Sequence, residues 1–251
     1  MCGIVGIIGD PIQQSAVDAF NTLFYLNELR GGDGCGVMTV NAVSAGQPKR
    51  IGMPDVYKSS SETCDEMQCG PEYEAITKPT GLKRLLLGHA RAKTKGLVSD
   101  ENTHPIISEN IYGVMNGTLK GARWNANPDV SDSNALFTAM GTEGVLPVLQ
   151  EIKDEPYALA WHDAVEDQFF MIRSKDRPMA LLKLTGDCVL FASDYLFLDF
   201  VAKYHKLSVE KDGLFELAPD TLIAWNLKET YVSKPVYVGS PVEYFEKKQV
   251  G

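Results

Sequence analysis

Apolar residues open the chain. Ile4-Val5 and Ile7-Ile8 follow Met1-Cys2-Gly3 with only Gly6 between them, the pattern of a buried strand. Chain termini ordinarily fray, so a strand that begins at residue 3 fixes the N-terminus inside the fold. Asp10-Pro11 breaks this run, and a helix is predicted from Gln14 or Ser15 to Arg30. Ala16, Phe20 and Leu23, flanked by Val17 and Phe24, form one apolar face at helical spacing. The helix stops at the glycine-dense segment Arg30-Gly31-Gly32-Asp33-Gly34-Cys35-Gly36, and Val37–Val40 reads as the next strand. Known phosphate loops run strand, loop, helix, with the anion at the helix N-terminus. The order here is reversed, which makes this loop a tight packed turn.

Residues 41–80 are polar, with three serines at 59–61, four prolines and the pair Cys64 and Cys69. They read as a surface excursion containing a strand or short helix. Pattern returns with Leu85-Leu86-Leu87, a strand ending in Gly88-His89-Ala90-Arg91, and with Ile111–Met115, a strand ending in Asn116-Gly117-Thr118. Asn-Gly is the sequence of a two-residue hairpin turn, so a turn is one reading of that end. Ser131, Asp132, Ser133 and Asn134 offer N-caps for a helix carrying Ala135, Leu136, Ala139 and Met140, and a second helix follows from Leu146 to Ile152. The period then becomes that of strands at Tyr157–Asp163, Phe169–Ser174, Ala180–Leu184 and Cys188–Ala192, with a turn at Thr185-Gly186-Asp187. Ser193-Asp194 caps another helix through Val201, and Leu207 to Val238 holds further short strands. Without sustained βαβ alternation, the order predicts antiparallel sheets with segregated helices, an α+β layered sandwich. No linker or repeat interrupts it, so residues 1–251 read as one domain.

Composition narrows the function classes. With 44% hydrophobic and 23% charged residues the chain is ordinary globular material, and its net charge of −9 argues against direct binding to nucleic acid or an anionic membrane. No apolar run approaches the ~18–20 residues that span a bilayer, and no basic segment precedes the first one, as a signal peptide would require. The cysteines at 2, 35, 64, 69 and 188 are odd in number and scattered, which fits reduced thiols in the cytoplasm better than a disulfide framework. Cys64 and Cys69 lack a second His/Cys pair, so no metal site is expected, and no cofactor either.

The candidate chemistry begins at Cys2. Removal of Met1 leaves one residue that carries a thiol nucleophile and an α-amine of reference pKa about 7.7–8.0, able to act as a base near neutral pH. The alternative reading is a small buried cysteine that starts a core strand.

Met-Cys-Gly-Ile-Val-Gly-Ile resembles the start of class II glutamine amidotransferase domains, the purF-type N-terminal-nucleophile hydrolases. Further segments resemble that family in the same order. Arg30–Gly36 is similar to its Arg-Gly-x-Asp-x-x-Gly loop, and Gly88–Gly96 with Asn102-Thr103-His104-Pro105 to its glutamine loop and Asn-x-His-Pro. Met115-Asn116-Gly117-Thr118 is similar to its His-Asn-Gly-x, Ser131-Asp132-Ser133 to its Ser-Asp-Thr, and Phe191-Ala192-Ser193-Asp194 to a strand-end segment. The resemblance covers about residues 2–225 and implies a four-layer αββα sandwich of two antiparallel sheets flanked by helices. It implies that Cys2 attacks the side-chain amide of glutamine, with its own α-amine as base, and that Asn116 and Gly117 supply the oxyanion donors, each worth roughly 2.7–4 kcal/mol of barrier. It assigns Arg91 to the substrate α-carboxylate, Asp132 to its α-ammonium, and Thr94 to a further hydrogen bond. An arginine with an aspartate suits an amino-acid zwitterion.

Three positions depart from the family, one of them Met115 in place of the usual His before Asn-Gly, which its place on the strand tolerates. Ala92 and Lys95 stand where many relatives carry Trp and His, which questions a tryptophan gate over the site. No synthase domain is recognised in the chain, so the implied role is a glutaminase subunit that passes ammonia to a separate acceptor enzyme. Two other readings remain: a stand-alone amidohydrolase acting on a γ-glutamyl-type amide, and a non-catalytic subunit if Met1 is retained.

Overall fold

The computed structural model describes residues 1–41, 53–78, 83–186, 188–228 and 234–249. In chain order these form β1 (Gly3–Gly9), α1 (Gln14–Asn27), β2 (Cys35–Asn41), β3 (Asp55–Ser59), α2 (Cys64–Gln68), α3 (Pro71–Thr77) and β4 (Lys83–Ala90). There follow β5 (Ile106–Ser108), β6 (Ile111–Gly117), α4 (Asp132–Glu143), α5 (Val145–Glu151), β7 (Tyr157–Asp163), β8 (Gln168–Arg173), β9 (Ala180–Leu184) and β10 (Cys188–Ala192). The remainder is α6 (Tyr195–Tyr204), β11 (Val209–Glu216), β12 (Leu222–Asn226), β13 (Tyr237–Gly239) and α7 (Pro241–Gln249).

Two antiparallel sheets result. The first has seven strands in the order β11-β9-β10-β1-β4-β2-β3, and the second six in the order β13-β12-β8-β7-β6-β5. Side chains alternate across each strand, so every strand feeds two layers. In β1, Ile4 and Ile8 face the second sheet and pack with Met38, Leu85, Leu87, Val114, Phe169 and Phe191. Val5 and Ile7 face the other way, onto Phe20, Leu23 and Phe24 of α1 and Leu198 and Val201 of α6. On the far face of the second sheet, Trp161, Phe170 and Ile172 pack with Leu136, Phe137 and Met140 of α4 and with Val148 and Leu149 of α5. The layers are therefore αββα, as the sequence led us to expect. The uninterrupted apolar run of residues 4–8 follows from position: β1 is the middle strand of its sheet, covered on both faces, and residues 3–9 are all buried.

The surface-excursion reading of 41–80 is corrected for residues 55–77. Here β3 extends the first sheet beside β2, and Cys64, Met67, Tyr73 and Ile76 of α2 and α3 are buried on its outer face. Residues 42–52 and 79–80 lie outside the described residues. Thr63 caps α2 in a capping box with Glu66, which lets a helix of only five residues form. Cys64 does not pair with Cys69: it is buried and hydrogen-bonded to Cys35, which raises its pKa, whereas Cys69 is exposed. Helix α7 ends the described chain, and Tyr244 and Phe245 on it pack against Phe170. Among the described residues no helix is long and apolar enough to cross a membrane, and no cluster of three or more His, Cys, Asp or Glu is placed to hold a metal ion.

Candidate active site

Strand ends converge where β1 begins. Gly3 pairs with Ala90, so Cys2 lies beside the chain that leaves β4. Its Sγ accepts the Ala92 N–H at 3.2 Å and lies 3.4 Å from the Ala92 carbonyl. Burial raises the Cys2 thiol pKa. The Ala92 N–H, the positive N-terminus and Arg91 oppose that rise. A thiol so placed is protonated near neutral pH, and a base must take its proton before attack.

The glycine loop after α1 holds this strand end in place. Asp33 N–H donates to the Arg91 carbonyl and Arg91 N–H to the Gly34 carbonyl, both at 2.8 Å, while the Asp33 carboxylate accepts Lys93 N–H at 2.8 Å. Gly31 has to be glycine: a Cβ there would lie 2.4 Å from the Arg91 carbonyl carbon and 2.5 Å from Ala92 N. Arg30 reaches the N-terminal residue itself. Its Nε donates to the Cys2 carbonyl at 3.1 Å and its Nη1 pairs with Asp194 at 2.9 Å.

Asn116 and Gly117 are not a hairpin turn. They end β6 in register with Ala158 and Tyr157 of β7, and a Cβ on Gly117 would lie 2.3 Å from the Pro156 carbonyl oxygen. Alternation along β6 turns Tyr112 and Val114 towards the first sheet, and Asn116 faces the same way. A cavity of about 200 Å³ is lined by Met1, Cys2, Arg30, Ala92, Thr94, Asn116, Gly117 and Thr118, with Asp176, Arg177 and Pro178 closing it from the β8–β9 connection.

Cys2, Thr94, Asn116 and Gly117 thus share one cavity. Arg91 and Asp132 do not line it. The Arg91 guanidinium is spent in part on its own loop, donating to the carbonyls of Lys95 (2.9 Å) and Leu97 (3.0 Å). Asp132 begins α4, capped by Ser131, and its carboxylate accepts the N–H groups of Leu119 (2.7 Å) and Ser133 (3.0 Å). Burial raises the Asp132 pKa, opposed by those N–H groups and by Lys95. Lys95 itself straps the loop down, donating to the Leu119 carbonyl at 2.8 Å and to Asn125. Asn102 fastens the other end of this loop, bridging the carbonyls of Leu97 and Asp129 and accepting Ser131 N–H.

Behind Asn116 lies a buried polar layer. His89 Nε2 is 3.1 Å from the Met115 carbonyl, and its ring centroid is 4.0 Å from that of His104. Burial lowers the pKa of both rings, that of His89 to about 3. Asp33, Arg30 with Asp194, and the Asp176–Pro178 wall were not singled out from sequence as site residues. The only signal among them was the Arg30–Gly36 loop and the Phe191–Asp194 segment, neither of which had a role attached.

No family model matches the chain. It is 28% identical over 153 residues to the isomerizing glutamine–fructose-6-phosphate aminotransferase of Bradyrhizobium diazoefficiens, covering 61% of this chain and 22% of that protein. To the chloroplastic amidophosphoribosyltransferase of Vigna aconitifolia it is 24% identical over 220 residues, covering 80% and 41%. The solved structure of the glutamine phosphoribosylpyrophosphate amidotransferase of B. subtilis, complexed with ADP and GMP, superposes with a TM-score of 0.59 at 18% identity. That match covers 90% of this chain and 47% of the other. The chain spans less than half the length of each of these proteins.

Proposed function

We propose that this chain, a relative of the purF-type class II glutamine amidotransferases, hydrolyses the side-chain amide of L-glutamine to glutamate and ammonia. The observation that carries the reading is the single cavity shared by Cys2, Thr94, Asn116 and Gly117. With Met1 removed, the α-amine of Cys2 takes the thiol proton while sulfur adds to the amide carbon. The oxyanion so formed is met by the Asn116 Nδ2–H and the Gly117 N–H. Collapse breaks the C–N bond, the amine returns the proton to ammonia, and water then cleaves the thioester to glutamate. The raised thiol pKa suits this order of events, because the base is needed.

Arg91 and Asp132, which do not line that cavity, are assigned to the glutamine zwitterion by the family resemblance and by their opposite charges. A guanidinium has five N–H donors, of which two go to Lys95 and Leu97, so three remain for a carboxylate. Ammonia passes to a separate acceptor enzyme. In the relatives the matched region is part of a longer chain, so the separate acceptor is this proposal's own step and not one taken from them. The unpaired thiols suit the reducing cytoplasm.

The test is glutamate release from glutamine by protein whose N-terminus is verified as Cys2 by mass spectrometry. We expect activity there, none in Cys2→Ala, and none in a form that keeps Met1. Inactive Cys2-terminal protein would overturn the reading. Faster turnover of a γ-glutamyl amide than of glutamine would transfer the site to that substrate class.

A further inference from the structure

Ser193 follows β10, where Val189 and Phe191 already face the second sheet, so alternation turns its side chain into the same inter-sheet layer as Asn116. The residue is fully buried, and its hydroxyl is saturated. Oγ accepts Ile4 N–H at 2.7 Å and Asn116 Nδ2–H at 2.6 Å, and it donates to the Ile4 carbonyl at 3.4 Å. Ser193 N–H bonds that same carbonyl at 2.9 Å. A hydroxyl has one hydrogen. The Ile4 carbonyl is within reach of that hydrogen at 3.4 Å, and the 2.6 Å contact to Asn116 is the one in which the amide nitrogen donates to Ser193.

This matters for the cavity. The two hydrogens of an amide nitrogen lie in one plane with a fixed angle between them, so anchoring one sets the direction of the other. The Asn116 side chain also faces the His89 ring and opposes the fall in its pKa, but its Oδ1 makes no hydrogen bond of ordinary geometry, so the bond to Ser193 is the short one that holds the amide. A reversed amide would present oxygen to a developing oxyanion, which repels it.

We propose that Ser193 is the positioning residue of the oxyanion hole, fixing the Asn116 amide and tying it to β1 two residues from the nucleophile. The proposal rests on the glutamine-hydrolysis reading of Asn116.

The experiment uses the full chain with Met1 removed. Loss of an oxyanion donor costs ~10²–10³ in kcat, and an amide free to turn loses part of that, so Ser193→Ala is expected to lower kcat by about 10–100-fold. KM should stay within about 2-fold, since the groups that hold the substrate are untouched. Alkylation of Cys2 by iodoacetamide builds no oxyanion and should keep its rate. Ser193→Thr, which retains the hydroxyl, should recover activity, and Ser193→Ala combined with Asn116→Ala should be no worse than Asn116→Ala alone. Wild-type kcat in Ser193→Ala, a parallel loss of kcat and alkylation rate, or additive losses with Asn116→Ala would each overturn the proposal. Should the alanine variant not fold, Ser193→Cys replaces it, with the same outcomes. Should wild-type protein alkylate normally yet leave glutamine intact, the function reading fails. Ser193 is then judged by the side-chain amide protons of Asn116 in NMR, which must exchange faster in Ser193→Ala for the proposal to stand.

Discussion

The rings of His89 and His104 lie 4.0 Å apart at a 45° tilt, and neither nitrogen of His104 has a hydrogen-bond partner among the described residues, whereas His89 meets the Met115 carbonyl and faces the Asn116 side chain. Burial is the first cause of both lowered pKa values, and His104 is pushed further by the charges of His89, Arg91 and Lys58. Below pH 6.5 the unfolded chain takes up protons at both rings while the folded chain refuses them, so stability falls as pH falls, until the folded pKa is reached. At pH 5 an ordinary histidine of pKa about 6.5 is about 97% protonated, and refusing that proton costs RT ln(1 + 10^1.5), about 2 kcal/mol per ring. Two rings forfeit at most about 4 kcal/mol between pH 8 and pH 5, set against a typical ~5–15 kcal/mol. Urea unfolding of the wild type and of His104→Leu at both pH values isolates the effect, because carboxylate titrations are common to both and cancel. The loss between pH 8 and 5 should be smaller in the variant, by at most about 2 kcal/mol. An equal loss in both proteins would refute the argument, since it would mean that His104 titrates normally when folded.

Two further outcomes follow from the site. Gly31→Ala sets a Cβ against backbone atoms of Arg91 and Ala92 that cannot yield separately, so its urea midpoint should fall by the equivalent of about 1–3 kcal/mol; an unchanged midpoint would show the loop backing away freely. In chain that keeps Met1, the buried thiol has a pKa above its ordinary 9.0, so iodoacetamide alkylation of Cys2 should climb about tenfold per pH unit from pH 7 to 9; a plateau below pH 8.5 would contradict the burial account.

The sheets were legible because burial on both faces leaves a plain signature. Residues 4–8, 157–163 and 180–184 declare themselves as strands without reference to anything distant. Asn116-Gly117 shows the limit of local reading: as a dipeptide it is a turn, and pairing with Ala158 and Tyr157 makes it the end of a strand. Helices α2 and α3 were hidden by their brevity, since two buried residues three apart, Cys64 with Met67 and Tyr73 with Ile76, do not make a period. Helix α7 carries only Tyr244 and Phe245 inward on an otherwise polar stretch, and no pattern announced it. In the site, the motif residues were visible but their engagements were not. That Arg91 bonds Lys95 and Leu97, and that Asp176–Pro178 closes the cavity, depends on loop paths that no spacing encodes.

The order of the first sheet also bears on how Cys2 is held. β1 lies in the middle of seven strands, and Ile4 joins Ser193 across 189 residues. Until β10 is in place, residues 1–9 have one flank open. Afterwards Met1 remains 77% exposed, but Gly3 and Ile4 are held in the ladder. Placement of Cys2 therefore depends on a strand 189 residues away, so a substitution in β10 can displace Cys2 without touching it.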